Sequence, residues 1–107
     1  MSESVQEEIK NIVDQNDVVL FMKGTKNQPQ CGFSNAVVNT LSFMNIDYKD
    51  VDILESDELR QGIKEFSDWP TIPQLYVSGK FIGGCDIVKE MFEKGEVKSL
   101  FEKEKFL

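Results

Sequence analysis

A chain of 107 residues has room for one core and not for two. With 40% hydrophobic and 29% charged residues it has a globular composition, and its longest apolar run, Val18 to Met22, is far too short to cross a bilayer. Nineteen acidic against twelve basic residues leave a net charge of -7 that repels phosphate backbones, so neither nucleic acid nor a membrane is an expected partner.

Val5, Ile9, Ile12 and Val13 recur at helical spacing behind Ser2 or Ser4 as an N-cap, which predicts a first helix ending near Asn16. Val18-Val19-Leu20-Phe21-Met22 reads as a buried strand. The loop Lys23 to Gln30, with Gly24 and Pro29, leads to a helix that begins near Cys31 or Gly32 and carries Val37, Leu41 and Met44 on one face. Tyr48 to Ile53 alternates as a second strand would. A helix capped around Ser56 follows, with Asp57 and Glu58 in its first turn and Leu59, Ile63 and Phe66 on its apolar face. Gln74 to Val77 and Phe81-Ile82 read as two strands joined through Ser78-Gly79, a favoured hairpin turn, so they should pair antiparallel. Gly83-Gly84 breaks the last strand, Ile87, Val88, Met91 and Phe92 form a helical face, and Gly95 separates it from a final amphipathic stretch with Val97, Leu100 and Phe101. A βαβ unit, a helix and a ββα unit predict an α/β protein with a four-stranded mixed sheet flanked by helices on both faces, in thioredoxin-like order.

The absence of histidine excludes Ser-His-Asp and Cys-His catalysis and histidine-ligated zinc for this chain on its own. Its two cysteines, Cys31 and Cys85, cannot supply the four thiolates of an ordinary iron-sulfur or zinc site, although a site shared between chains stays open. Cys31 stands at a helix start, where unpaired N–H groups and the positive dipole end favour a thiolate, which makes it a candidate nucleophile or ligand. An inert buried cysteine is the competing reading, and Gly32 with the polar, proline-marked loop speaks against it. Ser34 occupies the place of the second thiol in a Cys-x-x-Cys pair, so any thiol partner must come from elsewhere.

Trp69-Pro70-Thr71-Ile72-Pro73 is a rigid turn before a strand, able to present backbone to a ligand; by base rate alone the Ile72-Pro73 bond is trans. At Gly83-Gly84-Cys85-Asp86 a helix start can bind a carboxylate, while Asp86 either caps the helix or accepts from an ammonium group. Lys23 and Arg60, the only arginine, read locally as solvated charges, though the guanidinium fork suits a carboxylate. Met1 to Lys10 carries Glu3, Glu7 and Glu8 and has neither an apolar nor an Arg-rich character, so no targeting segment is read there and the expected location is the cytoplasm.

Phe21-Met22-Lys23-Gly24-Thr25, Cys31-Gly32-Phe33-Ser34, Trp69-Pro70-Thr71-Ile72-Pro73-Gln74-Leu75-Tyr76-Val77 and Gly83-Gly84-Cys85-Asp86 follow one another in this order, and together they resemble the single-domain monothiol glutaredoxins over almost the whole chain. The resemblance implies one glutaredoxin domain over residues 1–107, a thioredoxin fold with a cis Ile72-Pro73 bond, and a glutathione site built from Lys23, Cys31, Phe33, Arg60, the Thr71-Ile72 backbone, Cys85 and Asp86. Lys23 and Arg60 would hold the glycyl carboxylate and the Cys85-Asp86 helix start the γ-glutamyl end. The resemblance also implies Cys31 as catalytic thiol and metal ligand. Two chains each giving Cys31, with two glutathione thiolates, complete the four sulfurs around one 2Fe-2S cluster. The implied task is carriage of that cluster by a homodimer to apo iron-sulfur recipient proteins, with a BolA-type partner left open in place of one subunit.

A second reading uses the same site for chemistry: Cys31 attacks a glutathionylated protein and free glutathione resolves the mixed disulfide, a reaction at which the Cys-Gly-Phe-Ser family is generally poor. A third reading, an interaction module with an incidental Cys31, is disfavoured by the four matched blocks. Lys26 stands where the family usually has proline, a difference that bears on the rigidity of the loop, and the inserted loop before Cys31 looks like that of the cluster-carrying class.

Overall fold

The computed structural model describes residues 2–103. Its elements run α1 (Ser2–Gln15), β1 (Val18–Met22), α2 (Gly32–Phe43), β2 (Lys49–Asp52), α3 (Asp57–Ser67), β3 (Gln74–Val77), β4 (Lys80–Gly83), α4 (Cys85–Glu93) and α5 (Glu96–Lys103). All five side chains of β1 are buried, which requires cover on both faces of the strand, and the alternation of side chains divides that cover in two. Val18, Leu20 and Met22 pack with Val37, Val38 and Leu41 of α2, Val88 of α4 and Val97 and Phe101 of α5. Val19 and Phe21 pack on the opposite side with Val5, Ile9 and Val13 of α1 and Ile63 of α3. Each fully buried Val, Leu, Phe or Met contributes about 1.5–3 kcal/mol relative to exposure. β3, buried at every position, adds Leu75 and Val77 to the first layer and Tyr76 to the second.

The strands lie in the order β2-β1-β3-β4. β2 runs parallel to β1, with Val19 opposite Lys49 and Met22 opposite Asp52, while β3 is antiparallel to both of its neighbours. The expected mixed four-stranded sheet with helices on both faces is therefore present, and Ser78 and Gly79, at φ 52° and 78°, form the expected hairpin turn. Ser56 accepts the Leu59 N–H at 3.2 Å and caps α3 as its sequence suggests.

Several boundaries differ from the sequence reading: α2 ends at Phe43 with Met44 as its C-cap, β2 starts at Lys49 and not at Tyr48, and β4 runs through Gly83. α1 already runs from Ser2, which puts Ser2 and Ser4 inside its first turn and not at its cap. β2 stops at Asp52, one residue short of the expected end, because the Asp52 carboxylate accepts the Leu54 N–H at 2.9 Å and turns Ile53–Glu55 into a 3-10 turn. No helix among the described residues is long and apolar enough to cross a membrane.

Candidate functional site

Four segments converge on one cleft of about 330 Å³: Lys23 just after β1, Phe33 in the first turn of α2, the stretch from α3 through Pro73, and Gly84 to Ile87 at the start of α4. Lys23, Phe33, Arg60, Thr71, Ile72, Cys85 and Asp86, all anticipated from the sequence, line it. Cys31 is not among the lining residues; it stands beside the cleft, close enough to Lys23 and Cys85 for the charges to interact.

Cys31 is the N-cap of α2, in extended backbone geometry, and its carbonyl accepts the Asn35 N–H at 2.9 Å to open the helix. The backbone N–H of Ser34 is the chief group favouring its thiolate, followed by the Phe33 N–H, the Lys23 ammonium and the Ser34 hydroxyl. These outweigh the partial burial and hold the thiol below the usual cysteine range. Ser34 is fully buried, and its hydroxyl oxygen accepts the Lys23 N–H at 3.1 Å. The residue in place of a second thiol is thus a tie between the loop after β1 and the helix that carries Cys31.

Cys85 is the first residue of α4 and half-buried. Burial pushes its thiol up, Asp86 and Cys31 add to that, and Lys89 offsets part of it. Asp86 does not cap the helix: Gly84, in extended geometry, is the N-cap, which leaves Asp86 exposed in the first turn. The physical reason is close packing. A Cβ on Gly84 would lie 3.1 Å from the Pro73 carbonyl oxygen and 3.5 Å from Trp69 Nε1, so the residue at the cap is the one without a side chain.

The Trp69–Pro73 turn has its own supports. Asp68, at φ 55°, ends α3 in left-handed geometry, and the next N–H, that of Trp69, returns to the Lys64 carbonyl at 3.2 Å. The buried Gln74 donates from its amide nitrogen to the Trp69 and Thr71 carbonyls, each at 3.2 Å, and its amide oxygen accepts the Tyr76 hydroxyl at 3.1 Å. Ile72-Pro73 is cis, as the family resemblance implied and as the local base rate did not. Trp69, read beforehand only as part of the rigid turn, also lines the cleft, and so does Lys64, which was not singled out. The signal for Lys64 was available: it lies four residues after Arg60 in the same helix, hence on the same face.

Lys26, at the position the family usually fills with proline, is tied down differently. Its N–H donates to Asp50 at 2.8 Å, its ammonium to the Tyr48 carbonyl at 2.8 Å, and that ammonium lies 4.4 Å from the centre of the Tyr48 ring. Proline, with neither an N–H nor an ammonium group, would lack all of these contacts.

A family model described as glutaredoxin matches residues 18–82. Monothiol glutaredoxin-S14, chloroplastic, of Arabidopsis thaliana is 50% identical over 103 residues, covering 96% of this chain and 60% of its own length; the chain thus spans under two-thirds of that relative. The probable monothiol glutaredoxin 2 of Rickettsia typhi is 49% identical over 96 residues, covering 90% of this chain and 86% of its own. Among solved structures, reduced apo GrxS14 from poplar superposes with a TM-score of 0.81 at 50% identity, covering 92% of this chain and 91% of that one.

Proposed function

The chain belongs to the glutaredoxin family, on its monothiol branch, and from that premise we propose that it is a glutathione-dependent carrier of a 2Fe-2S cluster. The observation that supports this reading is one activated thiol, Cys31, beside a cleft that gathers Lys23, Arg60 and Lys64 in a chain of net charge -7. Glutathione is the thiol ligand such a cleft suits: the three cations meet its glycyl carboxylate, the Thr71-Ile72 backbone holds its middle, and the N–H groups at Cys85-Asp86 with the Asp86 carboxylate take its γ-glutamyl carboxylate and ammonium.

The donor set fits the cargo only across two chains. Cys31 offers one thiolate, and Cys85, half-buried with its thiol pushed up, is no second ligand of the same kind. A cluster needing four sulfurs therefore takes two Cys31 thiolates and two glutathione thiolates, and forms with dimerisation of the chain. Because two of the four ligands are exchangeable small molecules, the cluster can be handed to apo iron-sulfur proteins, with a BolA-type protein as a competing second subunit. In this reading the chain acts as a single glutaredoxin domain in a reducing compartment. The cytoplasm is the first to test by fractionation, since the Arabidopsis relative is chloroplastic.

The lowered Cys31 thiol also supports a second activity at the same site. The thiolate attacks the glutathione sulfur of a glutathionylated protein, expelling the protein thiolate; a free glutathione thiolate then attacks the glutathione sulfur of the mixed disulfide, breaking its bond to Cys31, so that glutathione disulfide forms and the Cys31 thiolate is released.

Anaerobic reconstitution with iron, sulfide and glutathione separates the readings. The expected product absorbs in the visible, has the mass of two chains with two glutathiones, and reverts to monomer when the cluster is removed. A stable apo dimer, or a cluster kept after complete removal of glutathione, overturns the carrier reading.

A further inference from the structure

β1 ends at Met22, and Asp52 is its partner at the last rung of the parallel ladder. Beyond that rung a side chain takes over: the Asp52 carboxylate oxygen Oδ1 accepts the Gly24 N–H at 2.9 Å, 28 residues away in sequence. Gly24 is buried at φ 90°, and a Cβ there would lie 2.5 Å from the Gln28 carbonyl oxygen, so this peptide has one place to be. The adjoining residue is Lys23, whose side chain lines the cleft and whose N–H is held by Ser34, three residues after Cys31. The Lys23 carbonyl accepts the Gln30 N–H at 2.9 Å, immediately before Cys31. The two ties from Lys23 toward the reactive thiol, its N–H to Ser34 and its carbonyl to Gln30, thus adjoin the Gly24 N–H that Asp52 holds from the neighbouring strand.

We propose that Asp52 is a positioning residue for the site: by fixing the Lys23-Gly24 peptide it sets both the Lys23 ammonium in the cleft and the Lys23–Ser34 tie beneath Cys31. This rests on the reading of Cys31 as the reactive thiol and of the cleft as the glutathione site. In this role Asp52 acts through its acceptor oxygen, which takes the Gly24 N–H. The groups that act on the Cys31 thiol are the neighbours of that segment, Lys23 by its charge and Ser34 by its hydrogen bonds. Loss of the Asp52 charge and loss of its acceptor oxygen have opposite signs. Removing a nearby negative charge lowers a thiol's pKa, while loosening Lys23 and Ser34 raises it.

The test measures iodoacetamide alkylation of Cys31 against pH, and glutathione affinity by calorimetry, in a Cys85→Ser background that leaves one thiol. Asp52→Ala should move the alkylation profile to higher pH, slow alkylation at neutral pH about threefold and weaken glutathione about three- to tenfold. Asp52→Asn, which keeps the acceptor oxygen and loses the charge, should restore both. Asp50→Ala, which frees only the more distant Lys26 N–H, should leave the profile in place. If Asp52→Ala does not fold, Asp52→Val, of similar size and suited to a strand, replaces it. A profile unchanged in Asp52→Ala, shifted to lower pH, or not rescued by asparagine overturns the proposal while the Cys31 reading stands. A parent protein whose Cys31 titrates like a free cysteine overturns the Cys31 reading itself.

Discussion

Cys31 and Cys85 each stand at the start of a helix, and their thiols are displaced in opposite directions. Cys31 is the cap of α2, outside the first turn, where the N–H groups of Ser34 and Phe33 and the charge of Lys23 reach its sulfur. Cys85 is already inside α4, one residue past its cap, half-buried and beside Asp86. The contrast teaches that the positive end of a helix does not by itself make a thiolate. What decides is whether the sulfur sits where the unpaired N–H groups converge, and whether burial and neighbouring carboxylates oppose them.

The strongest way to break this comparison is to delete each sulfur. Cys31→Ser should abolish cluster binding and thiol exchange with glutathionylated protein, whereas Cys85→Ser should weaken them only partly, since Cys85 serves the cleft through its backbone and packing. Absorption after reconstitution and a deglutathionylation assay read both variants. Equal loss in the two would mean that the opposite displacement of the thiols has no functional consequence.

How much of this was legible in the chain depends on the reach of each interaction. β1 was legible because five consecutive apolar residues fit only a strand covered on both faces, and the α2 start at Cys31-Gly32 followed from the loop before it. The two local roles of Asp86, cap or acceptor, stayed open in the sequence because the choice of Gly84 as cap depends on the Pro73 carbonyl, which no local pattern carries. The end of β2 was misplaced by a single side-chain bond from Asp52. Most of the lining residues were legible through family resemblance, while composition and spacing alone left Lys23 and Arg60 as ordinary surface charges. Asp52 was invisible as a support because its Gly24 partner lies 28 residues away on another segment, and Gln74 because its bonds to the nearby Trp69 and Thr71 carbonyls exist only once the Trp69–Pro73 turn has formed.

Next in size is the wall of the cleft that Cys85 lines and Cys31 adjoins. Arg60 is exposed, so its charge-assisted bond to a carboxylate is worth the low end of the usual range, about 1.5 kcal/mol, and Arg60→Ala should weaken glutathione about tenfold without loss of fold. Arg60→Lys should fall between the two, keeping the charge and losing the planar fork. Calorimetric titration of the three proteins gives the order; unchanged affinity in the alanine variant would return Arg60 to a solvated helix face.

Smaller still is the effect of the Ser34 side chain. Its backbone N–H is the chief cause of the lowered Cys31 thiol, and alanine keeps that group. Ser34→Ala removes the hydroxyl and leaves the Lys23 N–H without its acceptor, so the alkylation profile of Cys31 should move to higher pH and the rate at neutral pH fall by about two- to threefold. A loss of tenfold or more would place the activation in the side chain and not in the helix start, which would remove the basis for contrasting a cap with a first helical residue.

The least effect is expected at Asp86, and it sharpens the other half of the comparison. Burial is the first cause of the raised Cys85 thiol, Asp86 the second, and Cys31 a further one, with Lys89 acting against them. In a Cys31→Ser background, which removes the second sulfur, Asp86→Asn deletes the remaining negative neighbour and leaves burial untouched. The Cys85 alkylation profile should therefore move to lower pH by a small amount, raising the rate at neutral pH less than about twofold, because an exposed carboxylate acts through screened solvent. Stopped-flow alkylation of the single remaining thiol measures it. If Asp86→Asn instead made Cys85 as reactive as Cys31 is in the parent protein, charge and not position would separate the two helix starts, and moving a carboxylate next to Cys31 would be enough to silence it.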